Sequence, residues 1–462
     1  MQDLISSAAA ALWGAPMALL LLGAGVFLSF RCGFVQLRRF PEAMHRTLGG
    51  VFSKQISEKG AVTPLQAVCA ALAGTVGTGN IAGVALAVSL GGPGTLFWLW
   101  MTAFFGMATK FAEVTLAVRF RERGPDGQWL GGPMYTIKNG LGPRFMPLAR
   151  AFALFGALAA FCMGSAVQGG EISGAARALI MELFPGVPAE REGFSLAAGI
   201  LVAAAGWFVL SGGMGRLGRV CEALVPLMGI VYVLACIAVI AANAGSLPGV
   251  LRDIFVSAFR PSAVCGGIGL SACMGWGLRR GVFSNEAGLG SAPIAHAATS
   301  EHDPVKQGFL GIFEVFADTM VVCTLTGLAL LCSGAAIPYG SPAELSLCVS
   351  AFSGVFGGGA AAALLSGCML LFSLSSLFSW GMYGLRCCGF LLGRRAERGY
   401  IAVFALCAVL GAVSVRGTVW ELADLLNALM ALPNLASLLL LSGEVKRLVK
   451  VRSRQDGRQL PG

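Results

Sequence analysis

Residues 74–83 read GTVGTGNIAG, inside an apolar run that extends from Val62 to Gly91. Glycine weakens a helix, and polar groups at membrane depth need partners. Four glycines, two threonines and an asparagine in the middle of such a run therefore need a reason. The letters from Gly77 to Ala82 fit a GxGxxG/A dinucleotide pattern. However, no strand precedes them, and Leu99 and Trp100 stand where an acidic ribose partner would be expected. Close helix packing through Gly79 and Gly83 accounts for two glycines only. A broken helix accounts for the whole cluster. Its freed amides and the positive end of a half-helix would hold a carboxylate, and its freed carbonyls would ligate a cation.

The composition places this break in a membrane. The chain has 462 residues, 56% hydrophobic and 12% charged, with a mean hydropathy of +0.77. A bilayer core of about 30 Å takes roughly 20 apolar residues per helix. Eleven such segments fall near residues 10–30, 63–91, 95–118, 150–184, 194–211, 221–243, 262–294, 308–333, 361–391, 400–415 and 418–442. Asp3 stands where a cleaved signal would be basic, so the first segment is expected to remain as a membrane helix. The fourteen cysteines lie mostly in apolar segments without CxxC spacing. With only His45, His296 and His302 beside them, neither a zinc site nor a disulfide framework is expected, and no cofactor is expected either.

Charge distribution gives the orientation. With the loops assigned alternately, one side carries 25 Lys and Arg, and the other carries Arg191, Arg252, Arg260 and Arg416. The positive-inside rule then puts the N-terminus outside and the C-terminus in the cytoplasm, as an odd number of crossings requires. The basic tail (Lys446, Arg447, Lys450, Arg452, Arg454, Arg458) reads as a topology signal, and no nucleic-acid partner is expected.

A second break is expected at the matching point of an inverted repeat. GVFSNEAGLGSAP, residues 281–293, sets Gly281, Gly288 and Gly290 around Ser284, Asn285 and Glu286. The organisation that follows has four parts: an N-terminal membrane helix with an amphipathic cytoplasmic connection (1–62), a first five-helix repeat (63–243), a second with its connecting loop (244–442), and the tail (443–462). The expected fold is all-α and integral to the membrane: eleven transmembrane helices, ten of them in a five-plus-five inverted repeat whose first and sixth members are discontinuous.

Glu113, Glu171, Glu286 and Asp318 are carboxylates at membrane depth, where exposure to lipid costs several kcal/mol. Lys110 with Glu113, and Arg279 with Glu286, are candidate internal pairs by spacing. Asp318 has no local cation and is the candidate for a second cation site. Glu171 lies one turn from Gln168, where it could face a cavity or be neutralised by a neighbouring helix.

Five stretches resemble the alanine or glycine:cation symporter family: TVGTGNIAGVALAVSLGGPGTLFWLWMTAFFGMATKFAE (75–113), GGPMYTI (131–137), RRGVFSNEAGLGSAPIAHAA (279–298), FADTMVVCT (316–324) and ADLLNALMALPNL (423–435). The resemblance implies a leucine-transporter-type fold with one additional N-terminal helix, and sodium-coupled movement of a small neutral amino acid across a bacterial-type plasma membrane. It further implies a substrate cradle at Gly77, Thr78, Gly79 and Asn80, Gln168 near the amino acid, and Phe283 and Trp380 as walls that limit side-chain size. A sodium ion would be held by the carbonyls of Ala73 and Val76 and the hydroxyls of Ser375 and Ser376. The chain departs from the family pattern at Glu171, at Ser379 in place of a glycine, and at Leu385 in place of a glutamate. Proton is the alternative coupling ion, and a sensor or passive channel is the alternative function; no enzyme motif is present.

Overall fold

A computed structural model describes every residue except 1–11, 14, 53–57, 59, 185, 188–191, 261–266, 415–416, 456 and 458–462. Asp3, Arg191, Arg416 and Arg458 lie outside the described residues. Helices α1 (Ala15–Arg31) and α2 (Phe40–Phe52) precede the first broken pair, α3 (Pro64–Thr75) and α4 (Ala82–Gly91). Next come α5 (Thr95–Arg119), α6 (Pro143–Leu183), α7 (Glu192–Ser211), α8 (Gly213–Ala242) and the shorter α9 (Leu247–Phe259). The second broken pair is α10 (Leu270–Asn285) with α11 (Ala292–His296). The chain continues through α12 (Pro304–Cys332), α13 (Leu345–Phe356), α14 (Gly358–Leu392), α15 (Glu397–Val413), α16 (Gly417–Leu440) and α17 (Ser442–Gln455). One short antiparallel ribbon, Glu122–Arg123 with Trp129–Leu130, sits between α5 and α6.

Among the described residues, eight helices are long and apolar enough to cross a membrane, and α3 with α4 makes a ninth span bent by 63°. Their outer faces carry the exposed side chains expected against lipid, among them Leu201, Phe208, Leu227, Leu234, Leu406 and Leu410. The remaining apolar surface packs inward: α5 lies against α10 and α12, α6 against α14 and α15, and α1 against α5 and α16. Glycines allow the closest approaches. A Cβ at Gly411 of α15 would sit 1.9 Å from the carbonyl oxygen of Ala166.

Each interruption has a local cause. Helix α3 starts at a capping box in which Thr63 and Gln66 satisfy each other's backbone amides, with Pro64 at the first helical position. It ends at Val76, and the extended Gly77 follows. Helix α10 ends at Glu286, which adopts a left-handed conformation (φ 50°), followed by Gly288 at φ 97° and Gly290 at φ 84°. At Gly288 a Cβ would also lie 2.4 Å from Leu21, so both backbone conformation and space call for glycine. Two further helices carry wide π-type turns mid-span, at Ala160–Val167 of α6 and Phe316–Cys323 of α12. Such turns re-aim side chains. Gln168 directly follows the first of these turns, and Asp318 lies within the second.

Two ion pairs expected from spacing are replaced by pairs between helices. Lys110 reaches Glu314 of α12 (3.2 Å) instead of Glu113, and Arg279 reaches Asp424 of α16 (2.9 Å) instead of Glu286. The carboxylate set at membrane depth therefore also includes Glu314. Its second oxygen meets His296 Nε2 at 3.0 Å, while Gln307 lies 2.9 Å from His296 Nδ1, and all of these side chains are buried. Glu113 is free to accept from the amide of Gly288 (3.0 Å) and from Asn434 (2.6 Å).

Removing one member of a fully buried pair leaves the other charge uncompensated, at a cost of about 3–5 kcal/mol. Lys110→Met should therefore lower the thermal unfolding midpoint of the purified protein sharply, and adding Glu314→Gln should recover much of the loss. A single variant as stable as wild type would contradict the pairing.

Candidate functional site

Both breaks open onto one cavity of about 420 Å³. The first break contributes Gly77, Thr78 and Gly79, and the second contributes Phe283, Ser284 and Glu286. Gly79 is exposed in the middle of a spanning segment, and a Cβ built on it would touch nothing within 4 Å. Gly79 thus borders open space, whereas Gly74 lies close against Tyr383 of α14 and Gly83 against the Arg280 side chain of α10. Helix α6 adds Gln168 and Glu171, and α14 adds Ser376 and Trp380.

Asn80 is placed differently from its neighbours. It is fully buried beneath the cavity, where its Oδ1 accepts from the Gly77 amide (2.9 Å) and its Nδ2 donates to Asp318 Oδ1 (2.7 Å). It acts as a clasp on the unwound backbone. Asp318 also accepts from Thr319 Oγ1 (2.7 Å) and from Ser284 Oγ, so one carboxylate ties both breaks to α12. The result is a compact set of hard oxygens: the Asp318 carboxylate and the Ser284 and Thr319 hydroxyls. Among the described residues no ammonium or guanidinium pairs with Asp318.

Ser375 and Ser376 diverge. Ser376 faces the first break, its Oγ 3.1 Å from where a Cβ on Gly77 would lie. Ser375 donates to the carbonyl of Phe372 (2.9 Å), the back-bond expected of a serine in a helix, and lies against Met228. Ser379 has its own use: its hydroxyl and that of Tyr383 both donate to the Ala70 carbonyl, at 2.8 and 3.1 Å, clamping α14 to α3.

The walls are held from behind. Trp380 donates its indole N–H to Glu286 Oε1 (3.1 Å), and Ser291 donates to the other oxygen of that carboxylate. Phe283 packs against Trp13, with ring centroids 4.6 Å apart. Gln168 donates to the Met163 carbonyl at 3.3 Å, and its Oε1 is buried with no partner among the described residues. Glu171 lines the cavity. Arg177 is not its partner, since that guanidinium donates to Ser195 at 2.5 Å.

Spacing alone did not reveal the outer rim. Glu344 and Leu345 come from the loop and helix α13, which is tethered to α4 where Gly340 and Ala343 donate to Ser89. Arg280, beside the second break, lines the cavity, its buried Nε without a partner among the described residues, and the Arg279–Asp424 pair and Trp420 complete the rim. Two adjacent arginines at the depth of a broken helix were the available sequence signal.

The pattern of the "Sodium:alanine symporter family" matches residues 1–460. The chain belongs to that family. It is 42% identical over 449 residues to the sodium/alanine symporter AgcS of Methanococcus maripaludis, covering 96% of this chain and 95% of that one. It is also 36% identical to the probable sodium/glutamine symporter GlnT of Bacillus subtilis, across 96% and 89% of the two chains. Among solved structures it matches MhsT in complex with L-phenylalanine, with a TM-score of 0.55 and 14% identity over 85% of this chain and 99% of that one, which establishes the shared fold. The family member described here is thus a multi-pass membrane transporter of the leucine-transporter-type fold, a cation-coupled amino-acid symporter and not an enzyme.

If Trp380 sets the side-chain limit, Trp380→Ala should weaken alanine binding by about tenfold or more and raise the relative uptake of leucine. Competition of unlabelled leucine against labelled alanine reads this. A wild type that takes both equally would remove Trp380 from that role.

Proposed function

We propose that this symporter couples sodium influx to uptake of a small neutral amino acid such as alanine or glycine by alternating access. The membrane is a bacterial-type plasma membrane, with the N-terminus outside and the C-terminus in the cytoplasm. In this reading α1 and the α10–α11 pair join the nine spans to make eleven, and residues 63–243 and 244–442 form the two halves of an inverted repeat around the cavity. The substrate carboxylate lies against the amides of Gly77, Thr78 and Gly79, its ammonium group faces Gln168 Oε1, and its side chain ends at Phe283 and Trp380. Asn80 serves the site indirectly, by fixing the loop.

The observation that carries the reading is the position of Asp318. A buried carboxylate surrounded by hydroxyls, directly behind the unwound backbone, offers hard oxygen ligands of the kind a small cation takes. A cation there neutralises Asp318 and adds positive potential next to the substrate carboxylate. Amino acid and ion thereby favour each other's binding. A further sodium ion would take the Ala73 and Val76 carbonyls and Ser376, with Ser375 joining only when its hydroxyl releases Phe372.

Purified protein in liposomes should concentrate labelled alanine or glycine when a sodium gradient is imposed, and not when the gradient is absent. Asp318→Asn should abolish accumulation while the protein remains folded. Accumulation driven by a proton gradient alone would overturn sodium coupling, and undiminished sodium-driven uptake by Asp318→Asn would remove Asp318 from the ion site.

A further inference from the structure

A second cavity, of about 940 Å³, lies further along α14 toward its C-terminal end and shares no lining residue with the substrate cavity. It is formed where three of the arginine-rich connections meet: the ribbon loop at Pro125–Gln128, the α7–α8 turn at Gly212–Gly213, and the α14–α15 turn. Four arginines line it, Arg386, Arg394, Arg395 and Arg398, against two acids, Asp126 and Glu397. Arg386 donates to Gln128 Oε1 (2.7 Å), and Arg394 pairs with Asp126 (3.2 Å). Arg395 and Arg398 are exposed and have no hydrogen-bond or ion-pair partner among the described residues. The cavity therefore holds a surplus of guanidinium groups.

The lining also includes the apolar Trp207, Leu210, Met382 and Ile401, of which Trp207 reaches the outer surface, 45% exposed. A tryptophan at the end of a spanning helix belongs at headgroup depth. Guanidinium groups bind phosphate oxygens in paired hydrogen bonds, and basic pockets between spanning helices take anionic headgroups. A soluble anion would use the arginines but leave the exposed Trp207 uncovered. A phosphodiester carrying acyl chains satisfies both. We propose that this cavity is a binding site for an anionic phospholipid, with the phosphate between Arg395 and Arg398 and the acyl chains running down past Trp207.

The test uses the full-length protein in detergent, titrated with phosphatidylglycerol, phosphatidylcholine or inorganic phosphate, with lipid retention read by native mass spectrometry and stability by thermal unfolding. Phosphatidylglycerol should be retained and should raise the midpoint, while the other two do neither. Arg395→Gln/Arg398→Gln should unfold as wild type without lipid and bind phosphatidylglycerol on the order of 30-fold more weakly. The control Lys446→Gln/Lys450→Gln removes the same charge from exposed positions of α17 and should change binding little. Equal weakening by the two double variants would reduce the effect to diffuse surface charge and overturn the site. Equal retention of phosphatidylcholine, or an equal midpoint shift with phosphate alone, would overturn the assignment to an anionic lipid.

Discussion

Backbone unwound inside a bilayer survives only where its freed amides and carbonyls find partners within the protein. Here those partners are supplied or positioned by buried carboxylates. Asp318 holds Asn80, and Asn80 in turn caps the amide of Gly77. Glu113 accepts from the amide of Gly288, helped by Asn434, which donates to the carbonyl of the same residue. Glu286 adopts the left-handed conformation that turns the second break, and it takes hydrogen bonds from Trp380 and Ser291. If these side chains were replaced by apolar ones that accept no hydrogen bond, the breaks would have to rewind or leave polar groups unsatisfied.

Buried polar groups also connect the site to the surrounding helices. Asp318 joins both breaks to α12, and one turn away Glu314 joins α12 to Lys110 of α5 and to His296 of α11. Tyr383 and Ser379 bind α14 to α3 through one carbonyl oxygen. A ligand that draws in Asp318, Ser376 or Trp380 therefore acts on α3, α10, α12 and α14 together. In a packed interior such a pull selects between discrete arrangements more readily than it deforms one of them.

The parts that were legible in the sequence are those set by local chemistry. Glycines beside polar residues in an apolar run marked both breaks, and of the residues implied by the resemblance, Gly77, Thr78, Gly79, Gln168, Phe283, Ser376 and Trp380 line one cavity while Ala73, Val76, Asn80 and Ser375 do not. The partnerships of charges were not legible. Lys110 and Glu113 are three residues apart on one helix, yet Lys110 pairs with a residue 204 positions away, because packing of α5 on α12 decides the matter. Helices α9 and α13, of 13 and 12 residues, are too short to register as spans, and so the roof of the cavity at Glu344 was missed. The placement of Asn80, buried between Gly77 and Asp318, was not legible either, because the direction of a side chain in an irregular loop does not follow from spacing. The wide turns beside Gln168 in α6 and around Asp318 in α12 have no sequence signature.

The central claim is that ion and amino acid meet at the first break through Asp318, and equilibrium binding tests it most directly. Linkage requires that sodium tighten amino-acid binding by the same factor by which the amino acid tightens sodium binding. Calorimetric titration of the purified protein with alanine at several sodium concentrations, and with sodium at several alanine concentrations, should give one common factor well above one. In Asp318→Asn that factor should fall toward one, with alanine still bound. Alanine affinity that does not change with sodium in the wild-type protein would contradict the account.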